Sequence, residues 1–127
     1  MKKRPGGKPS AERRGSRQYI PDAGHLAWFS FSPQAGREQA GRRPALVLSP
    51  SSYNARAGLC VVCPITSQVK DYPFEVQLPD GLPVSGVVLS DHLRSADWRA
   101  RSVEYAGLAP AEVLSEVRAK LKALLGI

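Results

Sequence analysis

The chain has 127 residues, 43% of them hydrophobic, which suits one folded domain with a modest core. No run of about 18 apolar residues occurs, which excludes a transmembrane helix. The basic N-terminus lacks the apolar stretch of a signal peptide, so a cytoplasmic location is expected.

The net charge of +7 is unevenly distributed. Residues 1–18 carry seven basic side chains against Glu12 alone, a net of +6, whereas residues 19–127 hold eleven basic and ten acidic groups. A polyphosphate-binding surface on the folded part must therefore come from local clustering. Residues 1–18 contain no aliphatic core former beyond Met1 and Ala11 and read as a flexible arm, either an RNA tether or a solubilising extension.

The folded domain, residues 19–127, starts near Tyr19-Ile20-Pro21. His25 to Phe31 is strand-like by its aromatic content, and Ser32-Pro33 ends it. A polar loop rich in Gly and Arg runs to Arg43, followed by a short strand from Pro44 to Leu48. Tyr53 to Gly58 reads as a turn or one helical turn. Leu59 to Ile65 is the most apolar strand and holds Cys60 and Cys63. Side chains three apart on a strand face opposite ways, so these thiols read as buried structural residues and not as a metal or redox pair. Phe74 to Leu78, Val84 to Leu89 and Ser102 to Ala106 complete the strands, with turn chemistry at Pro79-Asp80-Gly81.

Near the C-terminus Val113, Val117, Leu121 and Leu124 recur at helical spacing, joined by Leu114 and Leu125. Pro110 suits the first turn, Glu116 can pair with Lys120, and Gly126 ends the helix. Several short strands followed by one helix predict a mainly β, α+β domain: a small, partly open barrel capped by that helix.

Basic residues cluster at Arg37, Arg42, Arg43, Arg56 and Lys70, and again at Arg94, Arg99 and Arg101 beside Trp98. Guanidinium groups suit bidentate phosphate contacts, and an adjacent aromatic offers a stacking face for an unpaired base. No Gly-rich phosphate loop, H-E-x-x-H or G-x-S-x-G is present. His25 and the neighbouring Asp91 and His92 are the remaining acid–base candidates.

Several blocks resemble the MazF/PemK toxin family: Tyr19-Ile20-Pro21-Asp22, Trp28, and the run Glu38-Gln39-Ala40-Gly41-Arg42-Arg43-Pro44 extending to Pro50. Tyr53-Asn54, Cys63-Pro64-Ile65-Thr66-Ser67, Tyr72 to Val76 and Ser95 to Arg101 continue the likeness in order, and only the arm falls outside it. The resemblance implies an SH3-like barrel and a homodimer that cleaves single-stranded messenger RNA without metal or cofactor and is held in check by an acidic MazE-like antitoxin. It carries the catalytic roles onto Arg43 and Thr66, with Glu38 as the acid of the E-Q-x-G loop and Asp91 matching an aspartate of the PemK branch. That branch has His before the Glu-Gln pair, where this chain has Arg37. Arg37, Gln39, Arg42, Ser67, Gln68, Lys70, Arg94, Trp98 and Arg99 are the expected RNA contacts.

The chemistry agrees with these roles, because RNA carries its own nucleophile in the 2′-hydroxyl. Arg43 suits stabilisation of a phosphorane and is a poor base, since guanidinium stays protonated near neutrality. Thr66 suits hydrogen-bond donation to the phosphate, and Glu38 suits proton removal. Each has a structural alternative: Arg43 pairing with Glu38, Thr66 satisfying a strand-end backbone group, Asp91 capping a turn. A CcdB-type topoisomerase poison and a cold-shock-like RNA-binding module are the alternatives from other classes. The recognised base motif depends on the segments Ser32–Arg43 and Ser67–Tyr72.

Overall fold

A computed structural model describes residues 18–31 and 41–127. The arm up to residue 17 and the segment 32–40, with Arg37, Glu38 and Gln39, lie outside the described residues. In chain order come β1 (His25–Ser30), β2 (Arg42–Val47), α1 (Ser51–Ala57), β3 (Leu59–Thr66), β4 (Glu75–Gln77), β5 (Val87–Leu89), β6 (Arg94–Asp97), β7 (Glu104–Leu108) and α2 (Ala111–Leu125).

Among the described residues the strands form one antiparallel sheet in the order β4-β5-β3-β2-β1-β7, with β6 paired to β3. The sheet stays open, because β4, β6 and β7 each pair along one edge only. β3 is the hinge of this arrangement. One edge meets β2, with Ala45 opposite Pro64, Leu46 opposite Cys63 and Val47 opposite Val62. The other edge takes β6 along Leu59–Val62 and β5 at Ile65 and Thr66.

Strand alternation divides the apolar residues between two cores. Leu26, Leu46, Cys63, Ile65, Val76 and Val88 pack beneath α2 against Val113, Val117 and Leu121. Ala27, Phe29, Ala45, Val47, Cys60, Val62 and Trp98 form the second cluster on the opposite face. The two thiols thus sit in different cores, as the strand spacing predicts, and burial pushes both up to about 12.

Three sequence expectations need correction. β2 begins at Arg42, so Arg42 and Arg43 belong to a strand and not to the preceding loop; they pair with Ser30 and Phe29 of β1. β6 was invisible in the sequence because Arg94-Ser95-Ala96-Asp97 has one apolar residue and hence no readable alternation. The apolar stripe of α2 ends at Leu121, for Leu124 and Leu125 are 46% and 54% exposed on the last turn. Pro110 stands one position before the first helical residue, where its missing N–H costs no helical bond. None of the helices is long and apolar enough to cross a membrane, among the described residues.

Asn54 of α1 joins the N-terminal segment, α1 and the second core. It is fully buried; its Nδ2 donates to the carbonyls of Pro21 (2.8 Å) and Ser49 (2.9 Å), and its Oδ1 accepts from Ser49 Oγ (2.7 Å). The Asn54 carbonyl in turn accepts the indole N–H of Trp98 at 3.0 Å and the N–H of Gly58, which closes the helix at φ 71. Asn54→Ala should orphan the buried Pro21 carbonyl and the partly buried Ser49 carbonyl, each costing about 1–3 kcal/mol, for a total loss of about 2–6 kcal/mol in urea unfolding. A loss below about 0.5 kcal/mol would show that water replaces the amide without penalty.

Candidate active site

The start of β2, the end of β3 and the residues just beyond it border an open groove of about 690 Å³. Arg42, Arg43 and Pro44 line one side, Thr66, Ser67 and Gln68 another, and Pro83, Val84 and Ser85 form a further wall. Trp28 and Phe31 contribute aromatic surface from the β1 side, and Arg94 enters from β6. A smaller recess of about 270 Å³ shares Thr66 and Gln68 with the groove and adds Lys70, Tyr72, Glu75 and His92.

The β2–β3 register accounts for the central pair. The ladder runs from Val47 opposite Val62 to Ala45 opposite Pro64, and Arg43 and Thr66 each lie two residues beyond that last pair on their strands. Both residues line the groove. Arg43 is exposed and has no ion-pair partner among the described residues. The Thr66 hydroxyl oxygen accepts the backbone N–H of Gln68 at 3.1 Å, so the expected strand-end role is present. That bond uses a lone pair and leaves the hydroxyl proton to donate outward.

Arg42 is differently employed. Its guanidinium donates to Ser30 Oγ (2.9 Å) and pairs with Glu104 (2.8 Å), so it holds β1, β2 and β7 together at the groove's edge. The guanidinium of Arg94 stands 4.5 Å from the centre of the Phe31 ring, which gives the groove a combined cationic and aromatic face.

The sequence's second basic cluster splits in the structure, and two of its expected RNA contacts are corrected. Trp98 is fully buried in the second core and offers no stacking face, because the short strand β6 turns there and the indole is drawn inward by its bond to Asn54. Arg99 lies over the Trp98 ring at 4.5 Å and donates to Gln18 Oε1 at 3.1 Å, away from the groove residues. Asp91 also stands outside the groove lining; its Oδ2 accepts the Tyr72 hydroxyl at 2.8 Å. That bond to Asp91 raises the Tyr72 pKa. Lys70, Gln68 and Ser67 follow Thr66 along the groove and recess. Phe31 and the wall at residues 83–85 carry no signal of a site in the sequence beyond one aromatic at a strand end.

His25 belongs to a different cluster. Its Nδ1 accepts the Tyr19 hydroxyl at 2.6 Å and the N–H of Asp22 at 3.3 Å, which assigns the ring proton to Nε2. Tyr19 stacks on the ring at 5.7 Å and Tyr105 meets it edge-on at 5.0 Å.

The groove thus joins Arg43 and Thr66 to aromatic surface and further cations along its length, groups whose chemistry suits a phosphodiester chain. Comparison with known proteins agrees. Residues 22–125 match the sequence model of the PemK-like, MazF-like toxins of type II toxin–antitoxin systems. The chain is 47% identical over 109 residues to the endoribonuclease toxin MazF of Escherichia coli K12, spanning 86% of this chain and 97% of that one. It superposes on MazF from Deinococcus radiodurans with a TM-score of 0.78 and 64% identity, covering 87% of this chain and all of that one. A MazE–MazF crystal structure from the same organism matches with a TM-score of 0.79 and 58% identity, over 87% and 99% of the two chains. The chain belongs to the MazF/PemK toxin family.

Burial lowers the His25 pKa, with the Asp22 charge opposing it. The folded value therefore lies below the unfolded value of about 6.5, and the unfolded chain takes up a proton first as the pH falls. Stability contributed by neutral His25 should be present above about pH 6.5 and decline below it. Thermal unfolding between pH 8 and pH 5 should show wild type losing Tm more steeply than His25→Asn; parallel curves would remove His25 from the pH response.

Proposed function

We propose that this protein is the toxin of a type II toxin–antitoxin pair and cuts single-stranded messenger RNA at short motifs by attack of the 2′-hydroxyl on the adjacent phosphate. The observation that carries this reading is that Arg43 of β2 and Thr66 of β3 line one groove that also offers aromatic and cationic surface.

The mechanism follows from what each group can do. The 2′-oxygen attacks phosphorus, its proton passes to a base, and the bond from phosphorus to the 5′-oxygen breaks as that oxygen gains a proton. The products are a 2′,3′-cyclic phosphate, which a water molecule can then open to a 3′-phosphate, and a 5′-hydroxyl. Arg43 is a permanent cation and stabilises the extra negative charge of the phosphorane. Thr66 donates its hydroxyl proton to a phosphate oxygen, its own oxygen being oriented by the Gln68 N–H. Glu38 is the candidate base on the strength of the family resemblance. Asp91 holds the Tyr72 hydroxyl and so bears on the recess beside the groove through that ring. Arg94, Gln68, Ser67 and Lys70 hold the flanking nucleotides, and Phe31, with the Arg94 and Arg101 guanidinium groups over its ring, backs the cationic wall of the groove. Arg42 shapes the groove's edge through Glu104.

The reaction uses a nucleophile that the substrate brings, so activity in EDTA is expected. The working form is a homodimer in the cytoplasm, and an acidic antitoxin segment competes with RNA for the arginine-lined groove. MazF from Deinococcus radiodurans has been crystallised with MazE, which supports such a partner here.

Arg43→Ala should lower single-turnover cleavage by roughly 100- to 1,000-fold, about 2.7–4 kcal/mol, as loss of one charge-stabilising donor typically does. Thr66→Ala removes a neutral bond and should cost less. Both proteins should keep their fold and bind RNA, because the remaining cations still hold phosphates. Cleavage, RNA binding and thermal unfolding measured side by side decide the matter: wild-type cleavage by a folded Arg43→Ala protein would falsify the mechanism.

A further inference from the structure

The segment from Thr66 to Asp71 supplies Thr66, Ser67 and Gln68 to the groove and Lys70 to the recess, yet its residues are largely exposed and lack a core anchor beyond Ile65. Two residues outside the reaction hold it from either end. Gly86, next to β5, has φ 119, a backbone form that side chains other than glycine rarely adopt. A Cβ built there would stand 2.2 Å from the Thr66 carbonyl oxygen, 2.8 Å from its carbon and 3.2 Å from Ser67 Cα. The wall at residues 84–85 reaches the Thr66 turn only because no side chain lies between them. At the other end the Glu75 carboxylate accepts the backbone N–H of Lys70 (3.0 and 3.3 Å) and of Asp71 (3.1 Å). Asp71 turns there with φ 55, so consecutive amides converge on one carboxylate.

We infer that Gly86 and Glu75 are positioning residues that preset the Thr66–Asp71 segment, Gly86 by fixing Thr66 at the groove that Arg43 also lines and Glu75 by fixing Lys70 and Asp71 along the RNA path. This rests on the reading of Thr66 as the group that contacts the reacting phosphate. Neither residue meets the reacting phosphate; both act through the segment they hold. A segment held at both ends loses less conformational freedom on binding, and the hydroxyl meets phosphorus in one orientation.

The test is a double-mutant cycle on the full-length protein, with single-turnover cleavage and RNA affinity measured on one oligonucleotide substrate. Gly86→Ala should lower the saturating cleavage rate by about 10- to 100-fold, the usual effect of a small misplacement, while affinity changes little. In a Thr66→Ala background the same change should have almost no further effect, because the group it positions is gone. Gly81→Ala is the control for backbone strain: Gly81 has φ 92 and nothing within 4 Å of an added Cβ, so cleavage should persist. Glu75→Ala should weaken RNA binding and widen the range of cleaved motifs, and Glu75→Gln, which keeps one acceptor oxygen, should recover part of both.

A folded Gly86→Ala protein with the wild-type rate, or full additivity with an impaired Thr66→Ala, overturns the inference. If Gly86→Ala does not fold, the Glu75 pair decides: unchanged affinity and motif choice in Glu75→Ala overturns it. Wild-type cleavage by Thr66→Ala is a separate result that removes the catalytic reading of Thr66 itself.

Discussion

One strand is asked to satisfy three neighbours and two cores at once, and the rest of the molecule is arranged around that demand. β3 pairs with β2 along one edge and divides its other edge between β6 and β5. Cys60 and Val62 fill the second core while Cys63 and Ile65 fill the core under α2, so a shift of one residue would exchange the two sets. This double burial fixes the register strongly. The same register carries Arg43 and Thr66 to the groove, where pairing ends and side chains become available.

The groove is therefore built at a place where secondary structure runs out. Arg43 belongs to a strand whose inner residues are fully buried, yet is itself exposed, and Thr66 is the last residue of β3. Rigid strands hold the backbone of both, which favours precise placement, and the following turn supplies adaptable polar groups. Arg42, one residue away from Arg43, shows how finely the roles divide: its bonds to Ser30 and Glu104 make it part of the frame. The division follows from β-alternation, since neighbours on a strand point to opposite faces.

Ring and charge placement at the groove comes from long-range packing. Phe31, at the end of β1, meets Arg94 of β6, more than sixty positions later in the chain, and Phe29 stacks beneath it at 5.7 Å. Trp98 carries the sequence cue that Phe31 lacks, an aromatic among arginines, but its indole N–H finds the Asn54 carbonyl and the ring is buried. A buried hydrogen-bonded indole is worth more to folding than an exposed one, so the core claims it. The Arg99 guanidinium then covers the ring at the surface instead of facing RNA.

Read alone, the sequence determined the elements with strong periodicity or composition: the strand holding Cys60 and Cys63, the C-terminal helix with Val113, Val117 and Leu121, the opposite facing of the two thiols, and the family to which the Arg43 and Thr66 blocks belong. These follow from local rules, because period and propensity act within a few residues. Tertiary structure alone decided that Arg42 is a strut, that Trp98 is core, that β6 exists, and that Gly86 leaves room for Thr66. Each of these depends on contacts between segments distant in the chain: Arg42 with Glu104, Trp98 with Asn54, β6 with β3, Gly86 with Thr66. Whether a side chain faces water or a partner is set by what folds over it, and that information is not carried by its neighbours in sequence.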